Sequence, residues 1–308
     1  MQWGQIKTLF ILCFLLLDIY LLVLFLEKEQ EADRPFLNNP DLSIEETLEQ
    51  EKIGIPDELP EELPDEAFIQ ANQKHFTDEE LDRITSLENQ KVTNVNKNMI
   101  VSIFEEPITL PEKSSEEAIE QLVKSNILFP EEFSFEYWDT DTNILVFFQR
   151  KNERAIYFNQ NALLLVYLND DNEFVAYTQS MLGEPESNND KKSLISPILA
   201  IDTLYEENQL FSGQAVTDMD IGYYTMFPLD NGTQVFVPTW KLTVDEERDL
   251  FVNATERLVY PNNEGFIEEA INRNLERVRL IKDQPDLKEE MVNILLEKYE
   301  VINRSEEE

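Results

Sequence analysis

The sequence predicts an α+β protein with an N-terminal transmembrane helix, an ectodomain of helix-plus-antiparallel-sheet modules, and C-terminal helices. Three observations carry this reading. One apolar run, "LFILCFLLLDIYLLVLFL" at 9–26, has no rival in the chain. From residue 115 helical periodicity twice gives way to short aromatic and β-branched segments separated by turn residues. From Pro261 onward the period returns to helical.

Eighteen helical residues span roughly 27 Å, close to the hydrocarbon thickness of a bilayer. A cleavable signal requires small residues beyond the apolar run. Here the run exits into "LEKEQEAD", which offers no such site, so 9–26 reads as an uncleaved signal anchor. Lys7 on one side and Lys28 and Arg34 on the other leave the basic bias nearly neutral. Topology is then argued from the long acidic body, whose composition suits export. The expected arrangement is a cytoplasmic lead (1–8), a cell-membrane anchor (9–26), a juxtamembrane stalk (27–43) and an extracytoplasmic body.

Asp18 is the one charged residue in the run. A lone polar group there costs about 2.5–3.5 kcal/mol on insertion scales and seeks a partner. Phe14, Leu15, Leu21 and Leu22 are its helical neighbours, and with it they form the predicted partner-contact stripe. The competing reading is a protonated side chain tolerated without any partner.

The formal net charge is −38; Lys7 and Asp18 cancel, so the body carries the excess. Such a surface repels phosphate backbones, which excludes nucleic acid as a partner. Calcium or a basic partner is one reading of the charge, and a plain solvated surface is the other. A hydrophobic content of 42% argues against disorder. The single cysteine, Cys13, lies inside the apolar run, so the body forms no disulfide.

Along the body, "SIEETLEQEK" starts a helix, with Ser43 as N-cap and Glu46 three residues on as a capping box requires. Pro56, Pro60 and Pro64 make the following passage extended or turn-rich. A second helix is expected at 114–125, and its likeness to residues 45–59 suggests a helix-then-strand repeat. Strands follow in "FSFEYWD", "NILVFFQR", "RAIYFN", "ALLLVYLND" and "EFVAYTQSML", with a hairpin through Asn169-Asp170-Asp171-Asn172. These place a first α+β part at 44–182, a loop at 183–192 and a second α+β part at 193–260. The second part opens with a helix from Ser196 or Pro197. It continues into "GYYTMFPLD", "TQVFVPTWKLTVD" and "RDLFVNATERLVY". Residues 261–308 form a helical C-terminal extension.

No reaction stands out. His75 is the only histidine, and with no cysteine in the body the usual zinc sites are excluded. "DTDTN" (139–143) begins like a calcium loop, but it lacks Gly at the sixth position and has Arg150 at the twelfth. It reads as a turn between strands. There is no phosphate-cradling glycine loop. No catalytic residue, cofactor or metal is assigned, and the protein is expected not to be an enzyme.

The opening Trp3-x-x-x-Lys7-Thr8, leading directly into one membrane helix, resembles the start of the YycI family. "ALLLVYLNDDNEFVAYTQSML" (162–182) is similar to a hairpin shared by YycI and YycH proteins. "FVPTWKLTVDEERDLFVNATERLVY" (236–260) resembles their C-terminal segment. The resemblance covers roughly residues 1–260 in order and carries nothing over to 261–308. It implies a membrane-anchored regulator of the cell-wall sensor histidine kinase WalK (YycG), acting with a YycH-like protein largely through transmembrane helices. Two other readings stand beside it: an anchored extracellular binding or chaperone-like module without a kinase, and a surface hydrolase using two carboxylates.

Overall fold

A computed structural model of the chain describes residues 12, 14, 15, 17, 20, 43–56, 58–60, 65–87, 89–110, 115–228, 232–261, 263 and 265–305. The chain divides into two compact units, 1–52 and 53–308. In the first, helix α1 (Ile44–Gln50) has the expected capping box. Glu46 N–H donates to Ser43 Oγ, and Ser43 N–H donates to Glu46 Oε2 at 2.8 Å.

In the second unit, five α-helices among the described residues accompany a large mixed sheet. The helices are α2 (Asp78–Thr85), α3 (Glu116–Lys124), α4 (Pro197–Glu206), α5 (Phe266–Val278) and α6 (Pro285–Ser305). Strands β1 (Glu66–Ala71), β2 (Gln90–Val95), β3 (Met99–Thr109) and β4 (Phe133–Asp139) come first. β5 (Ile144–Lys151), β6 (Arg154–Tyr157), β7 (Leu163–Leu168) and β8 (Glu173–Gln179) follow. β9 (Glu186–Lys192), β10 (Val216–Pro228), β11 (Gln234–Val244) and β12 (Arg248–Asn253) complete the sheet among the described residues. The order is β2-β3-β8-β7-β5-β6-β10-β11-β1-β9, with β4 beside β5 and β12 beside β11.

The α+β plan is as expected, and two features differ from the reading above. The sheet is not purely antiparallel, because β6 and β10 run parallel with Tyr223 opposite Ile156. Residues 186–192, expected as loop, form β9 against β1. "ESNNDKK" has little strand propensity of its own. It is held by backbone pairing to an edge that local sequence does not disclose.

Strands β5 and β7 read as unbroken apolar runs because both faces of the sheet are covered there. Ile144, Val146 and Phe148 join one core with Phe266, Ile271, Leu275, Met291 and Leu295 of α5 and α6. The alternate residues Leu145 and Phe147 join a second core with Ile84 of α2 and with Ile119 and Val123 of α3. The C-terminal extension is therefore part of the folded body. Lys298 of α6 is buried as well, and its Nζ donates to Leu168 O at 2.7 Å.

Turn chemistry fixes the registers. Asn169 Oδ1 accepts from the N–H groups of Asp171 and Glu173 at 3.0 and 2.9 Å, closing the expected β7–β8 hairpin. "DTDTN" is the β4–β5 turn. Thr142 N–H donates to Asp139 Oδ1, and Asn143 takes a positive φ of 55°. At the parallel joint, a Cβ on Gly222 would lie 2.6 Å from Ala155 O and 2.4 Å from the Tyr157 ring. Only glycine allows β10 to approach β6 this closely.

Candidate functional site

The residues expected to contact a partner are seen only in part. Phe14 and Leu15 are helical and exposed, at 55% and 53%. Asp18, Leu21 and Leu22 lie outside the described residues. Among the described residues no helix is long and apolar enough to cross a membrane. His75, the only histidine, is exposed.

Polar chemistry in the body concentrates where β4 meets β11 and β12. Lys241 on β11 makes ion pairs with Glu136 of β4 and with Asp249 of β12, the latter at 2.9 Å. Thr243 Oγ1 donates to Asp249 Oδ1 at 2.7 Å and orients it. Burial works against the charge on Lys241, but Glu136 and then Asp249 hold its pKa above the ordinary value. Beside this group, the fully enclosed Tyr157 hydroxyl has no hydrogen-bond partner. Burial raises its pKa, with Asp220 next in effect. An aromatic cluster backs the seam. Phe158 meets Phe148, Phe251 and Phe266 edge-on at 5.2–5.3 Å, and Tyr224 stacks on Tyr260 at 4.2 Å. This arrangement locks strands together.

A second buried charge lies on α4. Asp202 is 1% exposed; its Oδ2 accepts from Arg257 Nη2 at 3.2 Å, while its Oδ1 has no partner. Burial, then Glu206, pushes its pKa from 3.8 to about 6 despite Arg257. The folded state therefore holds an extra proton between those values, and stability falls as pH rises through that window. The loss is on the order of 2–3 kcal/mol. Urea unfolding of parent and Asp202→Asn across pH 4–8 reads this out. The variant is expected to lack this decline and to exceed the parent in stability at pH 8. Parallel pH profiles for the two proteins would refute the assignment.

The chain also has a cavity of about 320 Å³ between the β4–β5 turn, the start of α5 and the end of α6. Asp139, Asp141 and Glu268 line it, together with Tyr137, Thr142 and Phe266. Neither Glu136 nor Asp202 lines it. Among the described residues no group of three or more His, Cys, Asp or Glu side chains is placed to hold a metal ion.

The family model of the YycI protein matches residues 34–255. The chain belongs to the YycI family. That match ends just past β12, so α5 and α6 lie beyond the YycI-matched stretch. No curated protein matches the chain. A crystal structure of an uncharacterized protein from Eubacterium rectale superposes with a TM-score of 0.43 at 11% identity. It covers 69% of this chain and 91% of that one.

For this YycI-family chain, sequence reasoning missed Lys241 and Glu136. Lys241 had one usable signal, since it is the only cation within the apolar strand "QVFVPTWKLTV". Glu136 had none, being one acid among 63.

Proposed function

We propose that the chain is a membrane-anchored, extracytoplasmic regulator of a cell-wall sensor histidine kinase of the WalK (YycG) type, working with a YycH-like protein. Membership in the YycI family is the observation that carries this reading. The apolar stretch 9–26 supplies the anchor, with the N-terminus cytoplasmic and the acidic body outside. Mechanistically, the anchor helix packs against partner helices and favours one of two kinase arrangements. That requires it to bind one arrangement more tightly than the other. Asp18 supplies the polar contact in that packing, with Phe14, Leu15, Leu21 and Leu22 around it.

The test is co-purification of the full-length protein with the kinase, next to a chain carrying a foreign anchor in place of 9–26. Association is expected to be lost in the swapped chain. Asp18→Leu is expected to weaken it about three- to tenfold, the scale of one interhelical polar contact. Full association of the swapped chain would remove the anchor from recognition. Absence of any association by the native protein would remove the kinase reading itself.

A further inference from the structure

We propose that Arg273 and Arg277 of α5 form a binding site for a dianionic phosphate group. The inference goes beyond the regulatory reading and does not depend on it. Both arginines lie beyond the family-matched stretch, while the loops that they hydrogen-bond lie within it.

The two side chains are four positions apart on α5, so they share one face of the helix. Arg273 donates from Nη1 to Gln160 Oε1 at 3.1 Å and from Nη2 to Asn161 Oδ1 at 2.6 Å, both in the β6–β7 loop. Arg277 donates from Nη1 to Ser180 Oγ at 3.1 Å, just past β8, and from Nη2 to Asn98 Oδ1 in the β2–β3 turn. These acceptors converge, because Ser180 and Leu163 exchange backbone hydrogen bonds at 2.9 and 3.1 Å. They are also held in place. Asn98 Nδ2 donates to Gln73 Oε1 at 2.9 Å, and Asn161 N–H donates to Asn159 Oδ1 at 2.9 Å.

Every one of the arginines' acceptors is neutral. Elsewhere in the body acids answer such cations: Glu66 pairs with Arg154, and Glu136 and Asp249 pair with Lys241. Arg273 and Arg277 make no ion pair among the described residues, in a chain that holds 63 acids. Glu269, four positions before Arg273, is the expected helical partner, yet it accepts from Gln160 Nε2 at 3.4 Å. Glu276, between the two arginines, is exposed. Burial and then the Arg273 charge push the Arg277 pKa down to about 10, with no carboxylate offsetting them. Adjacent, partly buried charges of one sign call for a counter-charge. A guanidinium carries five N–H donors, so each retains some beyond the bonds above. A phosphate group of charge about −1.5 to −2, with three acceptor oxygens, can answer both forks, where a carboxylate answers one. At physiological salt the field of distant acids is screened within about 8 Å, so the local pair sets the sign of the ligand.

The experiment is an NMR titration of the arginine Nε–H signals, with the full-length protein in phosphate-free maltoside micelles at physiological salt. The probes are inorganic phosphate, glycerol 3-phosphate, dimethyl phosphate and acetate. Phosphate is expected to shift the Arg273 and Arg277 signals saturably, with the monoanions acetate and dimethyl phosphate about tenfold weaker. Arg273→Gln and Arg277→Gln should each weaken phosphate about fivefold, while Arg279→Gln, an exposed cation on the same helix, should leave it unchanged. Arg277→Lys keeps the charge but loses the planar fork, and it should weaken binding about threefold, which tests the site even if the glutamine variants unfold. Shifts that never saturate, acetate binding equal to phosphate, or undiminished binding in Arg277→Lys overturn the site. An Arg279→Gln loss as large as that of Arg277→Gln also overturns it, since the attraction would then be diffuse. If glycerol 3-phosphate binds at least as well as phosphate, the group is a phosphoryl carried on a larger ligand. If inorganic phosphate alone binds, the ligand is the free ion. Either result upholds the site.

Discussion

Lys241→Met is expected to destabilise the body by about 3–5 kcal/mol, as removing one partner of a buried ion pair does. The loss is large because Lys241 serves two acids. Without it, Glu136, whose side chain is 12% exposed, is left charged in a low-dielectric seam with Asp249 close by. Against a total stability of about 5–15 kcal/mol, this is a substantial share. Urea unfolding followed by circular dichroism measures it. The pH dependence has a definite sign. The folded pKa of Lys241 is raised, so its contribution is present through neutral pH and fades only as pH rises past the ordinary lysine range. In the variant, the deficit should shrink in acid, where Glu136 can protonate. Glu136→Gln/Lys241→Met should recover part of the loss, because the uncompensated carboxylate is then gone. A single-variant deficit below about 1 kcal/mol would mean that the seam is solvated and the ion pairs contribute little.

The seam also marks where sequence reading stops. Helix starts were legible because their signals are local. Ser43 with Glu46 caps α1, and Ser196 with Pro197 opens α4. Strands β5, β7 and β8 were legible from apolar runs bounded by turn residues, and Asn169 announced its own hairpin. The stretch from 65 to 110 was not read, although it holds β1, β2 and β3. Its β2–β3 turn uses Asn96 and Lys97 at φ 51° and 62°, and the β11–β12 turn uses Asp245 and Glu246 at 56° and 61°. With seven glycines in the chain, the Asn-Gly and Asp-Gly turn markers are mostly absent, and other residues occupy the left-handed positions.

Topology was harder still. β1 sits between β9 and β11, pairing Ile69 with Phe236 across most of the body, and no local pattern encodes that separation. The candidate sites share this property. Glu136 and Lys241 are 105 positions apart, and the cavity beside the β4–β5 turn joins residues 139–142 to helices that begin at Phe266. Individual residues such as Thr142 look ordinary until the fold encloses them.

Ending the chain at Gln284, so that α6 is removed, is expected to abolish cooperative folding of the body. The family match stops at residue 255, which would suggest a dispensable appendage. The packing argues otherwise. Leu287, Met291 and Leu295 are each at most 2% exposed, and they share a core with Val146, Phe148 and Tyr167 of the central strands. Burying one such side chain contributes about 1.5–3 kcal/mol, so losing three forfeits roughly 5–9 kcal/mol. It also uncovers one face of strands that are apolar on both faces. That sum is comparable to the whole stability of a domain. The truncated chain should show a broad, non-cooperative urea transition and rapid proteolysis between strands. Leu295→Ala in the full chain should keep a cooperative transition and lose about 2–5 kcal/mol. A truncated chain that unfolds with the parent's midpoint would show that α6 merely rests on the sheet. If instead the core opens as expected, that sheet face is reserved for the protein's own helices. Partner recognition then falls to surfaces that α5 and α6 leave uncovered, which directs the search to the anchor.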